Sequence, residues 1–345
     1  MSLRSRRSIC DRQSVYVDGR AGQTHAFTLL KPTLAYRLNM SLCFLRSAIA
    51  LSLLPWAAVQ PALAWGVEGH RIINRLAGTH LPPDVPAFLR SERALEALSY
   101  YAPLPDHWRG VGEPALTKAS APEHYIQMES LGLIGSLPKN RYDYVRAMAV
   151  AQAANPELVL TAEKIGMQPY QAVELWERLK VGMRDYRELL AAKQDTKPVE
   201  AEVIFLAGWL GHYVGDASMP LHTSDKPNGW IGPNPGEYTT EHHIHGLFES
   251  EFVRMNITLG DVEPQIGKAP VLLGDMFDQY LAYLNRSHAL VERTYQLEKA
   301  GAFTEAGTVD GKVFATGQLG AAATELRDMI YTAWLRSGEP VPRRQ

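Results

Sequence analysis

The chain has 345 residues with 35 Lys+Arg, 37 Asp+Glu and a formal net charge of −2. Eight of the basic and two of the acidic residues fall within residues 1–64, which leaves residues 65–345 at a net −8. A body this acidic has no broad basic face with which to grip duplex DNA. Both cysteines, Cys10 and Cys43, precede residue 65, so residues 65–345 hold no internal disulfide. Bound metal is one candidate for the cross-links that exported proteins otherwise draw from cystine.

In chain order the first predicted feature is a leader. Residues 1–39 are Arg-rich and aperiodic, and read as an extension or a wrongly chosen upstream start, with Met40 the true start. Residues 40–64 have the form of a secretory signal. Arg46 lies near its beginning, Ala48 to Ala58 form its apolar core, and Ala62-Leu63-Ala64 supply small residues for cleavage. The apolar run is short and broken by Pro55, which argues against a membrane span. Export to the periplasm or the cell exterior is expected, with cleavage between Ala64 and Trp65. Residues 65–345 are then expected to form a single all-α catalytic domain.

Helical periodicity dominates that part. Ile72, Ile73, Leu76 and Ala77 share one face behind Gly69-His70. Helices are predicted over 156–166 and 170–193, the second with Val173, Leu175, Trp176, Leu179 and Val181 as its apolar set. Residues 200–216 form the most apolar predicted helix (Val203, Ile204, Leu206, Ala207, Leu210, Val214), which places it in the middle of the fold. Further helices are predicted over 241–255, 271–300 and 315–336. Between two of them, residues 223–240 carry Pro227, Gly229, Gly232, Pro233, Pro235 and Gly236. An irregular stretch of this length in a compact fold is usually functional or mobile.

Three segments carry metal-ligating chemistry. In Gly-His212-Tyr-Val-Gly-Asp216-Ala-Ser-Met-Pro-Leu-His222, His212 and Asp216 stand four apart on one helix face, and His222 follows the break at Pro220. A lone His–Asp pair would be a core hydrogen bond, but three such residues in an apolar segment favour metal. In Glu241-His242-His243-Ile-His245-Gly-Leu-Phe-Glu249, His245 and Glu249 repeat the four-residue spacing with nitrogen and oxygen donors that suit zinc. His242 and His243 lack such a partner and are expected in solvent or behind the ligands. A chain beginning at Trp65 would offer an α-amino group of pKa about 7.7–8.0 and a carbonyl as a chelate, with His70 in reach. Asp106 and His124 are isolated, and each alone reads as an ordinary surface or core residue.

In this order the segments resemble the S1/P1 nuclease and zinc-dependent phospholipase C superfamily. The resemblance runs from Trp-Gly-x-x-Gly-His at Trp65 to about Phe252, through an isolated Asp, a His beside an aromatic, His-x-x-x-Asp-x-x-x-x-Pro-Leu-His and His-x-x-x-Glu. It implies the all-α phospholipase C/P1 nuclease fold around three zinc ions. Asp106, His124, His212 and Asp216 would hold the first, and Trp65, His70 and Asp216 the second. His222, His245 and Glu249 would hold the third. Three divalent cations would put six positive charges into one cleft of an acidic protein. The implied reaction is in-line attack on phosphorus by zinc-activated hydroxide, with Asp106 and Asp216 as catalytic carboxylates.

Two features divide the family. Glu249 stands where the nucleases usually carry Asp and the phospholipases C carry Glu, whereas the Trp65-to-His70 spacing is that of the nucleases. The disulfides of fungal members are absent. The expected activity is an endonuclease on single-stranded DNA or RNA, with removal of 3′-phosphates from nucleotides. Hydrolysis of phospholipid head groups is the alternative, and a non-enzymatic metal-stabilised helical module a second one. Tyr125, Trp230 and Tyr238 are candidate platforms for a base, while Trp230 and Ile231 would equally serve as a rim for lipid.

Overall fold

The computed structural model describes residues 65–341 apart from Leu272. The leader, Met40 and the signal segment through Ala64 lie outside the described residues. From the N-terminal side, the α-helices are α1 (Gly66–Thr79), α2 (Glu92–Tyr101), α3 (Leu104–Gly110), α4 (Pro114–Ser120), α5 (Met128–Ile134), α6 (Arg141–Ala154), α7 (Ala162–Ile165) and α8 (Gln168–Ala191). They continue with α9 (Lys197–Ser218), α10 (Ile244–Gly246), α11 (Val253–Asn256), α12 (Leu259–Val262), α13 (Met276–His288), α14 (Val291–Lys299) and α15 (Val309–Ser337). The fold is all-α, as expected, with no strand among the described residues; one isolated bridge joins Ile126 and Gly166.

Helix α9 is the axis. It packs on α8, α15, α2 and α1. Val203, Leu210 and Val214 are completely buried, and each such side chain contributes about 1.5–3 kcal/mol. Glycines let α1 approach closely. A Cβ at Gly211 would stand 2.0 Å from the Asn74 Oδ1, and one at Gly215 would stand 2.8 Å from the His70 Nδ1. Asn74 uses that proximity to donate to the Gly208 carbonyl at 2.8 Å and to the Leu98 carbonyl at 3.0 Å. The carbonyls near the C-terminal end of α9 are held by side chains from elsewhere. Tyr280 and Tyr283 of α13 donate to Tyr213 and Val214, and Gln318 of α15 donates to Ser218. The end of α9 that carries His212 and Asp216 is thereby held by α13 and α15.

Several predicted spans differ from the fold. In 156–166 only α7 is helical. The span 271–300 divides into α13 and α14 at Ala289-Leu290. The span 241–255 begins three residues late, at Ile244, and opens into a π-helical turn over Leu247–Phe252. The irregular stretch after His222 is pinned to its surroundings. Trp230, Tyr238 and Tyr295 pack together with centroids 4.7–5.9 Å apart. The Tyr295 hydroxyl takes a hydrogen bond from the Gly229 N–H and donates to the Lys226 carbonyl. Tyr238 is buried with its hydroxyl on Glu292, so it packs and offers no free face to a base, whereas Trp230 is half-buried. Ile231 remains exposed.

Candidate metal centre

All nine residues singled out in the sequence are buried, and side chains from six different segments converge at the C-terminal half of α9. Three groups of donor atoms lie within 4.8 Å of one another: His70, His212 and Asp216; Asp106, His124 and His212; and His222, His245 and Glu249. The third group is the expected one. The first two differ from expectation in sharing His212, while Asp216 reaches across both, 3.1 Å from the His124 Nδ1 and 3.5 Å from the His70 Nε2. His70 stacks on His212 with centroids 4.1 Å apart.

The surroundings of three histidines fix their tautomers. The Nδ1 of His212 lies 2.8 Å from the Ala102 carbonyl, that of His222 2.6 Å from the His124 carbonyl, and that of His245 2.8 Å from the Pro227 carbonyl. A carbonyl only accepts, so each Nδ1 is the protonated nitrogen and each Nε2 turns its lone pair inward. This backbone anchoring is what metal-ligating histidines use to fix ring and tautomer. The inward Nε2 atoms of His222 and His245 face each other at 3.1 Å, and the Glu249 Oε2 stands 3.1 Å from the latter. Two lone pairs and a carboxylate at this distance require a cation among them. Buried polar atoms such as the Asp216 Oδ1 and the Glu249 Oε1 have no hydrogen-bond partner, a costly arrangement unless a metal takes them up. The nitrogen and oxygen donors with no sulfur fit zinc.

Electrostatics agree. Burial pushes the Asp106 and Asp216 carboxyls up to about 7, against the pull of Arg109 on the first and His222 on the second. Burial also holds His124 and His212 well below the usual imidazole range. At His245 burial works the same way, but the Glu249 carboxylate outweighs it and raises the group. Without a metal, protons are the cations this cluster collects.

Trp65, expected beside His70 and Asp216, is in contact with the third group. Its backbone nitrogen lies 3.2 Å from the Glu249 Oε2. Its indole is fully buried, and the Nε1 donates at 2.8 Å to both the Gly215 carbonyl and the Ser218 hydroxyl. Its φ of 38° turns the chain into α1. His242 and His243 stay exposed, as expected, with His243 3.5 Å from Glu298.

The cluster opens on a cleft of about 410 Å³ lined by His222 and His245 together with Arg109, Tyr125, Gln127 and Asn228. Of the candidate aromatics, Tyr125 alone lines it. Arg109 was not anticipated. Its guanidinium bonds the Asp106 Oδ1 at 2.7 Å, and the signal was present in the Asp-x-x-Arg spacing, one turn of α3.

The S1/P1 nuclease family model matches residues 65–258, more than half of the chain. The chain belongs to the S1/P1 nuclease family. The match includes all nine residues of the cluster and stops before α12, so α13 and α15, which pack on α9, lie outside it. Comparison with the curated proteins and with the solved structures returned no match. S1/P1 nucleases are zinc-dependent hydrolases of phosphodiester bonds, and the membership carries that general chemistry to this chain.

The closeness of α1 to α9 gives a test of the cluster. Gly215→Ala gains about 1 kcal/mol of intrinsic helix propensity, yet its methyl group meets the His70 ring. We expect the contact to win, with zinc content lowered and the melting temperature down by several degrees. A raised melting temperature with full zinc content would show that His70 has room to shift.

Proposed function

We propose that this chain is a three-zinc endonuclease of single-stranded nucleic acid that also removes 3′-phosphates from nucleotides, and that export and cleavage before Trp65 complete its site. The observation that carries the metal reading is the set of inward Nε2 atoms on His212, His222 and His245, each anchored through its Nδ1. Asp106, His124, His212 and Asp216 are assigned to one ion, Trp65, His70 and Asp216 to a second, and His222, His245 and Glu249 to the third. Zinc in such a cluster supplies Lewis acidity and lowers the pKa of bound water to about 7.

The chain's own residues supply the rest. Asp216 joins two of the groups. Asp106 orients the attacking water and holds Arg109 at the cleft wall, where the guanidinium meets phosphate oxygens. Tyr125 provides an aromatic wall for a base, and Gln127 and Asn228 provide polar edges to contact it. This lining of an aromatic ring, two amides and a guanidinium favours a nucleoside over a lipid head group. The cleft also gives the cluster a route to substrate, which a purely structural metal site lacks.

Protein cleaved at Trp65 should contain close to three zinc ions by elemental analysis and should hydrolyse single-stranded DNA and RNA faster than phosphatidylcholine. One zinc or none after gentle purification would overturn the metal assignment. Faster turnover of the phospholipid would overturn the substrate.

A further inference from the structure

A second cleft, also of about 410 Å³, lies along α3 and is lined by Val67, Arg71, Tyr100, Leu104, Asp106 and Val111 among others. Asp106 lines this cleft, and Arg109, one turn further along α3, lines the cleft of Tyr125. The two therefore adjoin at the 2.7 Å Asp106–Arg109 hydrogen bond, directly beside the metal cluster. The second cleft has the elements of a nucleotide site. Tyr100 is 62% exposed, Val67 and Val111 present apolar surface beside it, and Arg71 supplies a cation. Arg71 is half exposed and pairs with Glu68 at 3.0 Å within α1. An exposed pair of this kind is worth little and yields readily to a phosphate.

We propose that this cleft receives the nucleoside on the far side of the scissile phosphate from the one against Tyr125. Tyr100 stacks on its base and Arg71 meets its outer phosphate. The proposal rests on the phosphodiesterase reading above and deepens it: the preferred substrate is a single strand that crosses α3 and fills both clefts, rather than a mononucleotide that fills one. An acyl chain would also accept the apolar wall, but the guanidinium and the aromatic ring together suit a base with its phosphate.

The test is steady-state kinetics of zinc-loaded enzyme cleaved at Trp65, on a single-stranded DNA oligonucleotide and on a nucleoside 3′-monophosphate. Tyr100 is exposed and outside the cluster, so Tyr100→Ala should fold normally. It should raise KM for the oligonucleotide about tenfold, in line with the loss of one stacked base, and leave kcat and the mononucleotide kinetics as they were; Tyr100→Trp should restore the KM. Arg71→Gln should flatten the salt dependence of oligonucleotide KM. Unchanged KM for the oligonucleotide in Tyr100→Ala would overturn the second subsite while leaving the nuclease reading standing. So would a Tyr100→Ala effect confined to phosphatidylcholine. Failure of the parent enzyme to cleave any nucleic acid would overturn both.

Discussion

Replacing Asp216 by Asn should cut phosphodiesterase turnover by about 10³-fold, equivalent to roughly 4 kcal/mol of barrier. Asp216 is fully buried in α9, within 3.5 Å of His70, His124 and His212, so it reaches both of the overlapping donor groups. Asn fills the same space but brings no charge, and two cations would share a neutral ligand. Glu249→Gln touches a single group and should cost at least tenfold less. Comparable residual activity in the two variants would show that Asp216 does not join the groups.

The same substitution carries an opposite effect on stability, which separates loss of metal from loss of fold. In metal-free protein, burial raises the folded-state pKa of Asp216 to about 7 from an ordinary 3.8. A group raised in this way favours the fold fully below the unfolded pKa and loses that contribution as pH climbs through the folded one. Stripped wild-type protein should therefore be less stable at pH 8 than its Asp216→Asn variant. Zinc should reverse the order, because it binds the ionised carboxylate. Thermal melts of both proteins at pH 8, with zinc and with chelator, read both signs.

The second large effect is expected at the N-terminus. A chain made in the cytoplasm with Met before Trp65 should fold as a helical protein yet bind about one zinc fewer and turn over at least about 100-fold more slowly than the exported, cleaved form. The Trp65 nitrogen lies 3.2 Å from the Glu249 carboxylate, and the indole below it is locked by Gly215 and Ser218. That nitrogen is consequently held at the cluster whatever precedes it. A free amine of pKa about 7.7–8.0 deprotonates at modest cost and ligates metal, whereas an amide nitrogen is a poor ligand at neutral pH. Leader removal then acts as an activation step. Equal zinc content and equal rates in the two forms would reduce Trp65 to a packing residue.

Much of this was legible because metal chemistry imposes local spacing. His212–Asp216 and His245–Glu249 are four apart on helical turns, His222 follows the Pro220 break, and these intervals are visible without a fold. The central helix was legible too, since 200–216 is the most apolar of the predicted helices. Asp106 and His124 gained meaning only from the order in which they occur. What tertiary structure decided is different in kind. That two donor groups share His212 depends on how closely α1 lies against α9, and that is set by Gly211 and Gly215 meeting Asn74 and His70. The orientation of the imidazoles depends on the carbonyls of Ala102, His124 and Pro227, which are remote in sequence from two of the three rings they anchor. The aromatics show the limit most plainly. Tyr125, Trp230 and Tyr238 are equivalent as sequence, and only the fold sets Tyr125 in the lining of the cleft while Tyr238 is buried against Tyr295 and Glu292. Spacing along a helix is written into the chain, but the partner across a contact between distant segments exists only once the chain has folded.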